Sequence, residues 1–300
     1  MNDTINIFKS TTGLNNKIDP VRLTFDPKTG ITDLSIAYNI NIDKTGRISR
    51  RDGYTAQVSG NYHSLFSCGS YGLCVSGTDL LVIEPDYSTT SIATVTQNAR
   101  IAYVQNFDTV YYCNGYQKGI VTDRVYSAWT ASTYVGPDTT KTVSDPPIGH
   151  LLELFNGRMY IAQDDVIWYS NSFAYNQYDL AKNFIPMGSR VKMIASVREG
   201  LWISLSDQII FLHGTSPLDF KYVKMLEYPV IEGSAVKVRG SLIDPQIQGM
   251  CVIMTTTKGI FAGLPTGELY DLSRDRLSYP EALYSAAIVR DNRYTVSLQI

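Results

Sequence analysis

The sequence predicts an all-β protein, on three observations. Tyrosine is over-represented, with 21 among 300 residues beside 10 Phe and 3 Trp, and aromatic and β-branched side chains suit a pleated, half-buried surface. Short apolar runs recur in pairs across tight turns. No segment sustains the i, i+3, i+4 apolar stripe of an amphipathic helix, the nearest approach being Tyr175 to Phe184.

The strand pairs follow one another along the chain. Leu65–Cys68 faces Leu73–Val75, Ile101–Val104 faces Val110–Cys113, and Leu151–Phe155 faces Met159–Ala162. Met193–Val197 then faces Leu201–Ser204, and Ala286–Val289 faces Tyr294–Leu298. The turn Asn156-Gly157 is the strongest hairpin signal, because both residues tolerate the positive φ of a type I′ turn. A third run follows each pair, at Leu80–Ile83, Gly119–Thr122, Val166–Tyr169, Gln208–Leu212 and Gly259–Ala262, with a weaker fourth at Ser91–Val95, Lys221–Leu226 and Glu268–Leu272.

Second strands beginning at Leu73, Tyr111, Met159, Leu201, Cys251 and Tyr294 are spaced by 38 to 50 residues, the length of a four-stranded propeller blade. The chain stops at Ile300 two strands into such a blade. Ile36–Ile42 and Arg47–Gln57, around the turn Asp43-Lys44-Thr45-Gly46, offer the other two. The expectation is a six-bladed β-propeller with one blade closed by strands from both termini: an extended N-terminal arm over residues 1–33, then a single propeller domain over 34–300. A β-sandwich is the alternative, but it does not call for complementary half-blades at the ends.

Composition narrows the function. With 44% hydrophobic and 18% charged residues the chain is not disordered. With 26 Lys+Arg against 28 Asp+Glu it is not a basic nucleic-acid binder. The N-terminus lacks the basic and apolar regions of a signal peptide, and no apolar run approaches the roughly 20 residues of a membrane span. The expectation is a soluble protein made in the cytoplasm, its four cysteines (Cys68, Cys74, Cys113, Cys251) reduced.

Chemistry-bearing residues are sparse. His63, His150 and His213 have no ligand spacing, and no nucleophile-elbow, P-loop or dinucleotide-binding motif occurs. Asp79, Asp164, Asp165 and Asp207 sit at comparable turns, where turn chemistry alone favours aspartate. The expectation is no enzymatic activity, no cofactor and no metal. Arg47, Arg50 and Arg51 form the densest basic cluster, with period-two alternation placing Arg47 and Arg51 on one strand face and Arg50 on the other.

Residues 13–54 carry a further signal. Gly13-Leu14-Asn15-Asn16-Lys17-Ile18-Asp19-Pro20-Val21-Arg22-Leu23 precedes Ala37-Tyr38-Asn39, Asp43 and Gly46-Arg47-Ile48-Ser49-Arg50-Arg51-Asp52-Gly53-Tyr54. This resembles the opening of tail-tube, nozzle and hub proteins of tailed bacteriophages, especially short-tailed ones, in which an x-P-x-R-L segment leads into A-x-N-x-x-x-D-x-x-G-x-[LI]-x-[RK]-R-x-G. Asp52 stands where relatives usually carry proline. The resemblance implies a virion structural protein of the tail, assembled as a ring, commonly a hexamer. Its partners would be further copies of itself, the portal and adaptor, and other tail proteins, and double-stranded DNA would pass without sequence-specific contact or membrane insertion. It directs attention to Pro20, Arg22, Arg47, Arg50 and Arg51 as assembly residues. A carbohydrate-binding or carbohydrate-hydrolysing propeller is the alternative; a hydrolase would need paired carboxylates.

Overall fold

From Tyr62 to Asp271 one unit repeats five times in the computed structural model, which describes residues 8–23, 25–26, 28–133 and 143–300. Ahead of the repeat lie β1 (Ser10–Leu14), β2 (Phe25–Asp26) and β3 (Ile31–Leu34), which form a small sheet in the order β1-β3-β2, and the hairpin of β4 (Ile40–Ile42) and β5 (Ile48–Arg50). The first repeated sheet contains β6 (Tyr62–Ser67), β7 (Gly72–Ser76), β8 (Asp79–Ile83) and β9 (Thr89–Thr94). The second contains β10 (Ala102–Asn106), β11 (Thr109–Cys113), β12 (Lys118–Thr122) and β13 (Val125–Ser127). The third contains β14 (Leu151–Phe155), β15 (Arg158–Gln163), β16 (Val166–Tyr169) and β17 (Phe184–Pro186). The fourth contains β18 (Met193–Val197), β19 (Gly200–Ser204), β20 (Ile209–His213) and β21 (Lys221–Leu226). The fifth contains β22 (Val236–Arg239), β23 (Met250–Thr255), β24 (Ile260–Gly263) and β25 (Leu269–Asp271), after which β26 (Tyr284–Arg290) and β27 (Arg293–Gln299) close the chain as a hairpin.

All five repeated sheets are antiparallel meanders in sequence order. Side-chain alternation explains how they stack, since residues directly opposite across a ladder share a face. Leu73, Val75 and Leu80 of the first sheet meet Val110, Tyr112 and Val121 of the second. The other face of the second, with Ala102, Val104 and Cys113, meets Leu152, Met159 and Ile161. Phe155, Ala162 and Ile167 meet Ile194, Leu201 and Ile203; Ala195 and Trp202 meet Val252, Met254 and Phe261. Lastly Val238, Cys251 and Ile253 meet Val289 and Tyr294 of the terminal hairpin. The second to fifth sheets are thus each buried on both faces by their chain neighbours, and the result is a propeller-like all-β fold.

Three readings change. The ladder expected between residues 36–57 and 284–300 is not formed: β4–β5 and β26–β27 are separate two-stranded sheets, with no ladder between them among the described residues. Residues 51–56, read as part of a strand, have no regular structure. The segment read as an extended arm carries the β1–β3–β2 sheet, although its first seven residues and positions 24 and 27 lie outside the described residues. That sheet rests on the chain itself: Arg276 donates to Thr12 and to the Asp33 carboxylate, Lys17 pairs with Asp275, and Asn16 exchanges hydrogen bonds with Ser278. Polar contacts, not an apolar core, order it, and none of the five buried clusters includes a residue from this segment.

The hairpin turn Asn156-Gly157 has φ of 44° and 70°, the left-handed pair a type I′ turn demands. The cysteines are free, three of them buried and Cys68 half-buried. No helix among the described residues is long and apolar enough to cross a membrane.

Candidate functional site

Two places gather polar groups that the fold alone does not require. One is the N-terminal region, residues 13–54, singled out in the sequence; the other lies along the first strands of the third, fourth and fifth sheets.

In the N-terminal region the motif residues shape turns. The Asp19 side chain accepts from Val21 N–H at 2.9 Å and caps a 3-10 turn over Pro20–Arg22. Asn39 has φ of 52° and its carbonyl accepts from Arg51 N–H at 3.0 Å. The Asp43 carboxylate accepts from the N–H groups of Thr45 (2.8 Å) and Arg47 (3.0 Å) and from the Thr45 hydroxyl (2.6 Å). These bonds, the Thr45 hydroxyl first among them, hold its carboxyl below the ordinary carboxylate value. Gly46 has φ of 80°, and its carbonyl accepts from Thr11 N–H at 2.8 Å; a Cβ here would collide with the Thr11 backbone. The motif glycine is therefore where the β4–β5 turn seats against β1.

The five residues expected at an assembly interface are not gathered into one cluster of contacts. Pro20 and Arg22 lie exposed on the 3-10 turn, and Arg47 and Arg50 are exposed on the hairpin. Arg51 sits 6.0 Å over the Tyr54 ring. Arg47 precedes β5 and Arg51 follows it, and both keep backbone hydrogen bonds to the β4 side of the hairpin, Arg47 O from Asp43 N–H and Arg51 N–H to Asn39 O, each at 3.0 Å. Around them large apolar side chains face solvent, among them Val21 (92% exposed), Tyr38 (84%), Tyr54 and Ile36.

The second place was not anticipated. Glu153 in β14 is buried, with its Oε1 accepting from Lys237 Nζ of β22 at 2.8 Å, Ser196 Oγ of β18 at 3.0 Å and Leu154 N–H at 3.0 Å. Lys237 also reaches Ser196 Oγ at 3.2 Å. A carboxylate inside the apolar run Leu-Leu-Glu-Leu-Phe was the available signal. The network bridges three successive sheets at their first strands, and its ammonium is committed to the carboxylate. It ties the three sheets together through one carboxylate oxygen.

Three of the four turn aspartates also have side-chain partners. Asp164 pairs with Arg190 at 3.0 Å, Asp207 accepts from Ser189 Oγ at 3.1 Å, and Asp79 from Ser91 Oγ at 2.9 Å. His150 Nε2 lies 2.7 Å from the Val191 carbonyl, and burial, foremost, pushes its pKa down. No group of three His, Cys, Asp or Glu among the described residues is placed to hold a metal ion.

Geometry and chemistry together describe a propeller-like all-β chain whose polar clusters tie structure together. No family model matches it, and no curated protein matches it. Among solved structures it is similar to BBS1N from its complex with ARL6DN, at 13% identity over 82% of this chain and 80% of that one, with a TM-score of 0.50. It is also similar to PorZ, an essential bacterial surface component of the type-IX secretion system of Porphyromonas gingivalis (10% identity, 77% of this chain, TM-score 0.48), of which it spans only 29%. A third is streptogramin B lyase (13% identity, 80% and 83% of the two chains, TM-score 0.44). At 13% identity the likeness to BBS1N is one of fold.

Proposed function

We propose that this chain is a structural protein of a tailed-bacteriophage virion, a component of the nozzle or hub ring that continues the DNA conduit below the portal and adaptor, with no catalytic activity of its own. In this reading it is made in the host cytoplasm, resides in the tail, and forms a ring of identical copies, a hexamer on the family resemblance. The β4–β5 and β26–β27 hairpins are the two halves of a sixth blade.

One observation carries the proposal. The residues bearing the phage-like motif fold into a sheet and hairpin that contribute to no buried cluster of the body, are fastened by polar contacts, and turn large apolar side chains to solvent. Such a unit costs ordering entropy while burying little for its own chain, an arrangement that suits a surface completed by a neighbour. The near-neutral composition agrees with a conduit, because a protein with few clustered cations releases few counterions and does not grip DNA.

The test is removal of residues 2–30. The β-sheet circular dichroism and the thermal melt should stay close to those of the full chain, because the five clusters lie elsewhere, while incorporation into particles should be lost. Normal incorporation of the truncated protein would overturn the arm's role.

A further inference from the structure

The outer strands of the five repeated sheets are guarded, and that of the terminal hairpin is not. An unpaired strand edge is a template for another strand, and natural sheets blunt it by shortness, proline, lysine or a bulge. Three outer strands have only three residues: β13, β17, which ends in Pro186, and β25. β21 carries Lys221 and Lys224 and pairs through a bulge, and β9 also pairs through a bulge. β27, in contrast, runs seven residues without proline, in unbroken register with β26, and Arg293 at its start is its one charge.

The two edges of this hairpin are not equivalent. β26 lies inward, bridged to Glu232 beside β22, and Arg100 donates to the Ser285 carbonyl at 3.2 Å. Among the described residues, the backbone hydrogen bonds of β27 run only to β26 and Leu283. One face of the hairpin, with Val289 and Tyr294, packs on the fifth sheet. The opposite face leaves Tyr284 (52%) and Ile288 (58%) exposed, and Leu283 and Ile300 flank it in solvent.

The same chain holds the matching piece unused. β5 pairs with β4 over only three positions, and residues 51–57 beyond it are largely exposed and not in any ladder, although their sequence reads as strand. Their hairpin is pinned to β1 through Thr11 and Gly46, and β1 in turn is held to Arg276. Two strands and two strands make the four of every other blade.

We propose that β27 of one copy accepts residues 48–57 of a second copy of this chain, so that the sixth blade is completed between subunits. The contact is heterologous: each copy donates one segment and offers one edge, which generates a closed ring when the rotation per subunit closes. The inference deepens the ring reading above and rests on it for the presence of neighbouring copies.

Crosslinking tests it. In a Cys68→Ser background, Ala56→Cys and Ser297→Cys are made in separate chains, and the purified proteins are mixed with a short bis-maleimide reagent. The expected result is a species of twice the monomer mass that appears only in the mixture, and that persists when residues 2–30 are removed. Absence of that species overturns the proposal. So does a monomeric, internally crosslinked product from the doubly substituted chain at high dilution, which would place the closure within one subunit. With residues 2–30 present, a crosslink without particle incorporation would instead count against the virion reading alone, and incorporation without the crosslink against the strand exchange alone.

Discussion

At the scale of single residues, the buried Glu153 shows how position sets the cost of a substitution. Lys237 is 39% exposed at its side chain and can turn to water, whereas Glu153 at 8% cannot. Lys237→Met therefore strands a buried carboxylate and should cost about 3 kcal/mol, the range for breaking one side of a buried pair. Glu153→Gln keeps an acceptor and leaves a lysine free to hydrate, at about 1 kcal/mol. The double change Glu153→Leu with Lys237→Met should recover most of the loss, and urea unfolding measures all three; the opposite order of the single variants would contradict this account. Asp33 gives a pH dependence. Burial opposes its ionisation, but hydrogen bonds from Arg276, Thr12 and Asn15 outweigh it and hold the carboxyl below the ordinary 3.8. A carboxylate with a lowered folded pKa stabilises the fold above its unfolded pKa, and that contribution is lost as pH falls through the folded value. Amide exchange protection of β1 and β3 should therefore fall in acid below pH 3.8 while the repeated sheets stay protected. Asp33→Asn should loosen the same segment at neutral pH, an outcome that mass-resolved hydrogen exchange would read directly.

At the scale of elements, the repeat explains why some strands were legible and others were not. Asn156-Gly157 and the alternating runs beside it announce a hairpin because turn chemistry and side-chain period agree. The first strand of the fifth sheet, β22, went unread, because ten residues with a 3-10 turn separate it from β23 in place of a tight turn. β13 and β17 are three-residue strands whose sequence carries too little periodicity to register. The terminal hairpin yields a prediction. Tyr294 lies partly buried against the fifth sheet, its hydroxyl bonded to the Ser234 carbonyl (2.7 Å) and to Thr255 Oγ1 (2.8 Å), and Val289 packs in the same cluster. Deleting residues 294–300 should uncover Val238, Cys251 and Ile253 and leave β26 unpaired. Lower solubility and a melting temperature reduced by several degrees are expected in a thermal scan; an unchanged melt would show that the hairpin contributes nothing to the body.

At the scale of the whole molecule, five apolar interfaces run in series, each sheet held by the next. Three of the turn carboxylates have side-chain partners, Asp164 in Arg190, Asp207 in Ser189 and Asp79 in Ser91. On the structural reading proposed above, the purified protein is expected to leave polysaccharide substrates intact. Cleavage that was lost on Asp164→Asn or Asp207→Asn, measured by reducing-end release, would replace the structural reading with the carbohydrate-active one.

What the sequence determined by itself was everything local: the all-β class, the order of most strands, and the turns at Asn156-Gly157 and Asp43 to Gly46. Alternation and positive-φ preferences act within a few residues and need no partner. The tertiary structure alone decided where long-range partners lie. It set Glu153 against Lys237, 84 residues away, and Asp33 against Arg276, 243 residues away. It also decided that residues 36–57 do not pair with 284–300 in the same chain. The sequence supplied two hairpins of the right length, but hydrogen bonding between strands is indifferent to sequence. Which edges meet is settled by where the rest of the chain has already fastened each one.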